Sequence, residues 1–183
     1  MSGLLYIHGF ASCGRGQKST ALADYFGQGS VDAPDLPPSP ADAVSLLERM
    51  VEEKRYNLIV GSSLGGYYAT WLAEKYGLKA VLINPSTVPF ETLAPYVGVQ
   101  ERFCDGEPFI FEAAYLEALK TFQAMPKRGR YLVLLQSEDE VLDYRKAQKF
   151  YQDHRVIVEY GGNHRFENIT DYLSMIGNFK HAT

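Results

Sequence analysis

The 183-residue sequence has little cysteine, no long apolar run and no excess of positive charge. Its two cysteines, Cys13 and Cys104, have neither the spacing of a metal site nor that of a disulfide framework, so a reducing, cytoplasmic location is expected. No apolar run approaches the ~18–20 residues that a membrane-spanning helix needs. Lys and Arg number 18 against 22 Asp and Glu, and this net charge of −4 disfavours nucleic acid or an anionic membrane as the partner.

What the sequence does contain is the composition of an ordinary globular protein. Hydrophobic residues make up 46% and charged residues 22% of the chain. This length fits a single domain, predicted over residues 1–183, which can bury a core without a metal or a disulfide. No basic run precedes the short apolar stretch Leu4–Ile7, so we expect a first strand there and not a signal peptide.

Short runs of Val, Ile and Leu alternate along the chain with longer amphipathic segments. Six runs predict strands: Leu4–Ile7, Val31–Pro34, Leu58–Val60, Ala80–Ile83, Tyr131–Leu135 and Val156–Val158. The segments between and after them predict helices: Ser19–Phe26, Pro40–Val51, Leu64–Tyr76, Asp143–Tyr151 and Phe166–Phe179. The alternation predicts an α/β fold of three layers, a mostly parallel six-stranded sheet with helices on both faces.

Residues 86–125 interrupt this alternation. They show no strand pattern, and within them only Glu112–Phe122 has the pattern of a helix. We therefore predict a small helical cap between the fourth and fifth strands. Folds of this class place their sites at the carboxyl ends of the strands, and a cap inserted there would lie over the site.

The strongest motif is G-x-S-x-G over Gly61–Gly65, with Ser63 at its centre. A predicted strand precedes it and a predicted helix follows it, and in that context the motif presents a nucleophilic serine. The helix N-terminus favours negative charge that develops beside it. Ser62 is excluded because Leu64, not glycine, stands two positions after it. We expect Ser63 to be the nucleophile, the alternative being a glycine-rich turn without chemistry.

A serine hydroxyl needs a base, and His164 is the best placed of the four histidines. It follows the last predicted strand and therefore lies at the same sheet edge as Ser63. His154 lies at the opposite edge, and His181 lies in the C-terminal tail. His8 ends the first strand beside the expected site, but His164 occupies the position of the base.

The acid that orients such a base is expected in the loop after the fifth strand. Asp139 is the best candidate, because the two apolar residues directly after it can anchor the loop in the core. Asp143 has a competing role as the N-cap of the next helix. Glu138 and Glu140 are the remaining alternatives.

The fourth part of the site is a pair of backbone N–H donors for an oxyanion. Leu64, directly after the serine, supplies the first. Phe10 supplies the second, with Gly9 before it allowing a close approach. The alternative for this His-Gly segment is an ordinary turn.

Four segments resemble the α/β-hydrolase superfamily and, more narrowly, the small bacterial YqiA-type esterases: Leu5–Phe10, Gly61–Gly66, Ser137–Tyr144 and Gly161–Phe166. The order of nucleophile, acid and base along the chain also agrees. The resemblance implies hydrolysis of carboxylic esters through an acyl-enzyme on Ser63, with a small-molecule ester as partner and no cofactor or metal. Larger members begin with antiparallel strands that this chain is expected to lack, so we expect an open site and short-to-medium acyl chains.

Two other functions remain open. Arg15 and Lys18 could receive an anionic group, such as a phosphate of an acyl-CoA thioester, although two basic residues in a loop are usually only solvated. The chain could also be a hydrolase-fold binding protein without turnover, which the intact set of Ser63, Asp139 and His164 disfavours. Aromatic residues of the insertion are candidates for the wall of an acyl pocket: Phe90, Tyr96, Phe103, Phe109, Phe111 and Tyr115.

Overall fold

The computed structural model describes residues 3–182, so Met1, Ser2 and Thr183 of the predicted domain lie outside the described residues. The strands are β1 Gly3–Ile7, β2 Val31–Asp32, β3 Tyr56–Ser62, β4 Lys79–Ile83, β5 Gly98–Glu101, β6 Pro108–Phe111, β7 Arg130–Gln136 and β8 Arg155–Glu159. The helices are α1 Gln17–Phe26, α2 Pro40–Glu53, α3 Leu64–Tyr76, α4 Pro89–Thr92, α5 Ala113–Lys120, α6 Tyr144–Phe150 and α7 Leu173–His181. Two 3₁₀ turns cover Ala94–Tyr96 and Ile169–Tyr172.

The six predicted strands form one sheet in the order β2-β1-β3-β4-β7-β8, and every pair in it is parallel. Successive side chains of a strand point to opposite faces, so each central strand supplies two cores. Leu5 and Ile7 of β1 pack with α2, α3 and α6, whereas Leu4 and Tyr6 pack with α1 and α7. The predicted three-layer α/β fold is confirmed. Among the described residues, no helix is long and apolar enough to cross a membrane.

The C-terminal helix begins later than the sequence pattern predicts. Phe166 has a φ of 51°, in the left-handed region, and its side chain is fully buried. A 3₁₀ turn over Ile169–Tyr172 follows, and α7 starts only at Leu173. The apolar spacing after position 166 therefore belongs to a packed loop and a turn as well as to a helix.

The insertion between β4 and β7 is not purely helical, so the absence of strands predicted there is wrong. Besides α4 and α5 it contains an antiparallel hairpin, in which Val99 of β5 pairs with Ile110 of β6. Phe109 and Phe111 of this hairpin pack against the core, while Val99 and Ile110 are exposed on its outer face. Strands of four residues each are too short to leave a clear alternating pattern.

Cys13 and Cys104 form a disulfide, with their Cα atoms 6.2 Å apart, so the expectation that they are unpaired is wrong. The bond joins the loop after β1 to the turn of the hairpin. Beside it, the Phe103 N–H donates to the Ala11 carbonyl at 2.8 Å. The only group of three possible metal ligands found among residues 3–182 is this cysteine pair with Asp105. The sequence separation of 91 positions explains why spacing did not reveal the pair.

Replacing Cys104 with serine should lower the free energy of unfolding by about 2–4 kcal/mol, because a cross-link over so long a loop restricts the unfolded chain. Urea unfolding of the oxidised wild type and of the variant measures the difference. Reductant should bring the wild type to the stability of Cys104→Ser and leave the variant unchanged. Equal midpoints for oxidised and reduced wild type would contradict this prediction.

Candidate active site

Ser63 lies on a sharp turn between β3 and α3, with φ 54° and ψ −118°. The turn forces the strand and the helix together, so that a Cβ at Gly61 would overlap the Gly65 carbonyl and one at Gly65 would overlap the Ile7 carbonyl. Only glycine fits at these two positions. The Ser63 N–H donates to the Ile83 carbonyl at 3.0 Å, which fixes the turn on β4. A non-glycine residue at positive φ in such a turn is typical of a functional serine.

The structure brings Ser63, His164 and Asp139 together from three separate strand ends. The Ser63 Oγ lies 3.0 Å from the His164 Nε2, and the His164 Nδ1 lies 2.8 Å from the Asp139 Oδ2. The Asp139 side chain is 2% exposed and that of His164 is 18% exposed. The backbone N–H groups of Val141 and Leu142 also donate to the Asp139 Oδ1, at 2.9 and 2.8 Å. The carboxylate therefore accepts from Nδ1–H, which leaves Nε2 free to accept from the serine.

The other acidic residues of this loop have different partners. Asp143 caps α6 by accepting from the Arg145 N–H at 3.1 Å, and its ion pair with the Arg145 side chain holds its pKa below the usual range. Glu140 accepts from the backbone N–H of His164 at 2.9 Å, a bond that lowers its pKa. Of the four acidic candidates in the described chain, only Asp139 bonds to the imidazole ring.

Two buried amides that the sequence analysis missed hold the loop of His164. The Asn84 Nδ2 donates to the carbonyls of Asn163 and His164 at 3.1 and 3.2 Å, and the Asn84 Oδ1 accepts from the Gln136 N–H at 2.9 Å. The Gln136 Oε1 accepts from the Asn163 N–H at 2.9 Å. Asn84 and Gln136 stand at the carboxyl ends of β4 and β7. Polar residues at that edge of the sheet are the sequence feature by which they could have been predicted.

The N–H groups predicted to bind an oxyanion have no hydrogen-bond partner among the described residues. No hydrogen bond to another described group uses the backbone N–H of Phe10 or Leu64. Gly9 passes so close to the serine that a Cβ there would lie 3.2 Å from the Ser63 Cβ. Phe10 directly follows Gly9 and Leu64 directly follows Ser63, so both N–H groups belong to residues next to this contact.

His8 is buried beside the site but has a structural role. Its Nδ1 bonds to the Gly9 carbonyl at 2.8 Å, and its Nε2 accepts from the Leu36 N–H at 2.9 Å, which is the pattern of the neutral ring. Burial lowers the pKa of His8. His8 thus joins the loop after β1 to the loop between β2 and α2, which contains Leu36. His154 bonds instead to the Pro126 carbonyl, at 2.9 Å.

The lowered pKa of His8 predicts a loss of stability in mild acid. The unfolded chain binds a proton at His8 near pH 6.5 and the folded chain only at lower pH, so the free energy of unfolding should fall as pH drops below about 6.5. His8→Gln keeps an acceptor for the Leu36 N–H but does not titrate. Between pH 7 and pH 5, the free energy of unfolding measured in urea should therefore fall less for His8→Gln than for the wild type. The exposed control His181→Gln should show the same dependence of this free energy on pH as the wild type. The same pH dependence of the free energy of unfolding in all three proteins would refute the role of His8.

A pocket of about 300 Å³ opens next to Gly9 and Leu64, the two neighbours of Ser63, which does not itself line the pocket. It is lined by His8, Gly9, Phe10, Ala11, Ser12, Leu36, Pro37, Pro38, Leu64, Tyr68, Arg102, Glu107, Pro108, Phe109 and Phe111. Of the six aromatic residues proposed as a wall, Phe109 and Phe111 line it, and Tyr96 packs on the Phe10 ring at 5.6 Å between centroids. Phe90 and Tyr115 pack against the core, and Phe103 is exposed.

The two basic residues considered for an anionic group differ in their surroundings. The Lys18 ammonium donates to the Arg165 carbonyl, in the loop directly after His164. Burial and the nearby Arg165 charge lower the pKa of Lys18 to about 8. Arg15 is exposed. The hydrogen bond of Lys18 therefore links α1 to the loop of His164.

The chain matches a family of bacterial proteins over nearly all its length. The family model described as "Uncharacterised protein family (UPF0227)" matches residues 3–181. The UPF0227 protein YcfP of Salmonella paratyphi A is 27% identical over 187 residues, covering 97% of this chain and 98% of the relative. A UPF0227 protein of Citrobacter koseri is 25% identical with the same coverage.

Solved structures show the same fold at low sequence identity. Est1E from Butyrivibrio proteoclasticus aligns with a TM-score of 0.75 at 14% identity, covering 100% of this chain and 90% of its own. The mouse alpha/beta hydrolase domain-containing protein 10 aligns with a TM-score of 0.72 at 14% identity, covering 96% and 88%. The fold that the α/β-hydrolase resemblance implied is thereby confirmed, and the chain belongs to the UPF0227 family.

Proposed function

We propose that the protein is a serine hydrolase that cleaves carboxylic esters with short-to-medium acyl chains. One observation carries the proposal: the Ser63 Oγ lies 3.0 Å from the His164 Nε2, and the opposite ring nitrogen lies 2.8 Å from the buried carboxylate of Asp139. This chain of hydrogen bonds activates a hydroxyl that would otherwise be a poor nucleophile.

The reaction begins when the Ser63 Oγ attacks the ester carbonyl and His164 Nε2 takes its proton. Asp139 stabilises the imidazolium that forms. The N–H groups of Phe10 and Leu64 bind the oxyanion of the tetrahedral intermediate. His164 then gives the proton to the leaving alcohol, which leaves the acyl group on Ser63. Water, activated by the same histidine, releases the acid and restores the serine.

The two alternative functions have less support. A thioesterase that binds a coenzyme phosphate would need free cations near the site, but Lys18 donates to the Arg165 carbonyl. A binding protein without turnover has no need for a serine and a histidine at hydrogen-bond distance. Esters are therefore the favoured substrates.

Labelling with a fluorophosphonate probe tests this function directly. The folded wild type should be labelled on the peptide that contains Ser63, and Ser63→Ala should remain unlabelled. A panel of p-nitrophenyl esters of increasing acyl length, with matched thioesters, then gives the preferred substrate class. A folded wild type that takes no label and hydrolyses none of these substrates would refute the proposal. Faster turnover of every thioester than of its matched ester would favour the thioesterase.

A further inference from the structure

The pocket borders the two neighbours of Ser63, Gly9 and Leu64, and neither Ser63 nor His164 lines it. Its lining includes Gly9, Phe10 and Leu64, and no described residue after Phe111 contributes to it. The loops of Asp139 and His164 are therefore absent from its walls. The leaving alcohol must lie next to the His164 Nε2, because it receives its proton there. The group that remains for the pocket is the acyl chain.

Most of the wall of this pocket is apolar. The Phe10 ring is part of this wall and makes edge-to-face contacts to Phe111 at 5.1 Å and to Phe109 at 5.7 Å between centroids. Leu36 and Leu64 also belong to this wall. Binding of an apolar chain to such a surface is favourable, because apolar area is removed from water. Binding of a charged group there is unfavourable, because the group must give up its water.

Charged groups at the hairpin side of the pocket form a cluster around Arg102, and all three guanidinium nitrogens face a carboxylate. The Nε donates to the Asp105 Oδ1 at 3.0 Å, and the Nη2 also bonds to Asp105. The Nη1 lies 3.6 Å from the Asp35 Oδ2, and the Nη2 lies 3.4 Å from the Glu107 Oε2. Arg102 and Glu107 themselves line the pocket. We call these four residues the Arg102 cluster.

The cluster carries one positive and three negative charges when all its members are ionised. The bond from Arg102 lowers the pKa of Asp105 to about 2, so this carboxylate keeps its charge under working conditions. An acyl chain that ended in a carboxylate would find the guanidinium already occupied and would add a fourth negative charge. Arg102 is thus a structural cation of the pocket and not a receptor for an anion.

We propose that the pocket selects uncharged, apolar acyl groups and rejects acyl chains that end in a carboxylate, with the Arg102 cluster as the determinant of this selectivity. The inference rests on the proposed ester hydrolysis and adds the chemical class of the acyl group to it. Like-charge repulsion and the desolvation of the terminal carboxylate both act against the rejected class.

Matched pairs of p-nitrophenyl esters test the inference. Each pair has the same chain length, from four to eight acyl carbons, and ends either in a methyl group or in a carboxylate. The largest ratio of kcat/KM in the series, neutral over anionic, should be at least about tenfold at low salt, because charge repulsion and desolvation add. Added salt should reduce it. An ammonium-ended ester of the same length should be hydrolysed faster than the anionic one.

Two variants assign the selectivity to the cluster. Glu107→Gln removes one negative charge from the pocket and should reduce the neutral-to-anionic ratio by about threefold, the scale of a partly exposed charge. The control Glu117→Gln neutralises an exposed carboxylate that pairs with Lys120, outside the pocket, and should leave the ratio unchanged. An unchanged ratio in Glu107→Gln would overturn the assignment to the cluster.

Two results with the wild type separate failure of this inference from failure of the proposed function. If the anionic esters are hydrolysed as fast as their neutral partners or faster, the inference is wrong and ester hydrolysis stands. If the folded protein hydrolyses no ester of either kind, both are wrong.

Discussion

Ser63→Ala should lower kcat for a p-nitrophenyl ester by about 10⁴–10⁶-fold, because the hydroxyl that forms the acyl-enzyme is gone. Some rate above that in water should remain, since the N–H groups of Phe10 and Leu64 can still polarise the carbonyl. The loss should appear in kcat, with little change in the urea midpoint, since alanine removes only the hydroxyl and keeps the Cβ at this turn. Initial rates together with urea unfolding of the same preparation measure both quantities.

A set of related variants makes this result specific. His164→Ala should lose activity on the same scale, and the double variant with Ser63→Ala should be little worse than either single variant, because the two residues act as one unit. The matched control is Ser62→Ala, which removes the neighbouring buried hydroxyl and should retain most of the activity. A Ser63→Ala enzyme within tenfold of the wild type would show that another group is the nucleophile.

The fold and the meeting of Ser63, His164 and Asp139 were predictable because each segment is encoded locally. G-x-S-x-G stands between a strand and a helix, and the segments of His164 and Asp139 directly follow buried strands. The carboxyl ends of parallel strands meet at one edge, so three separated segments could be placed together without knowledge of side-chain packing. The choice of Asp139 over Asp143 also followed from a local feature, the N-cap position of Asp143.

The features that were missed depend on contacts between distant segments. The hairpin has two four-residue strands that pair only with each other, and the disulfide joins residues 91 positions apart. The positioning roles of Asn84 and Gln136 arise because β4 and β7 are neighbours in the sheet. In each case the residue types are ordinary, and only the packed structure gives them a partner. Sequence therefore predicted which side chains meet better than it predicted what holds them.

Asp139→Asn is the sharpest test of the acid. Asparagine keeps the size of the side chain and an oxygen that can accept from the N–H groups of Val141 and Leu142, so the loop should stay in place. It removes the negative charge beside the imidazolium, and its amide can donate to Nδ1, which favours the ring tautomer that cannot accept from Ser63. We expect kcat to fall by about 10³–10⁴-fold with a small change in KM. Steady-state kinetics at neutral pH measure both.

The matched control is Asp143→Asn in the same loop. Asparagine is as good an N-cap as aspartate, so α6 should persist, and only the exposed ion pair with Arg145 is lost. Activity should stay near that of the wild type and stability should change by less than about 1 kcal/mol. If Asp143→Asn lost more activity than Asp139→Asn, the acid would have been assigned to the wrong residue. Because both substitutions remove one charge from one loop, the difference between them isolates the carboxylate that bonds to His164.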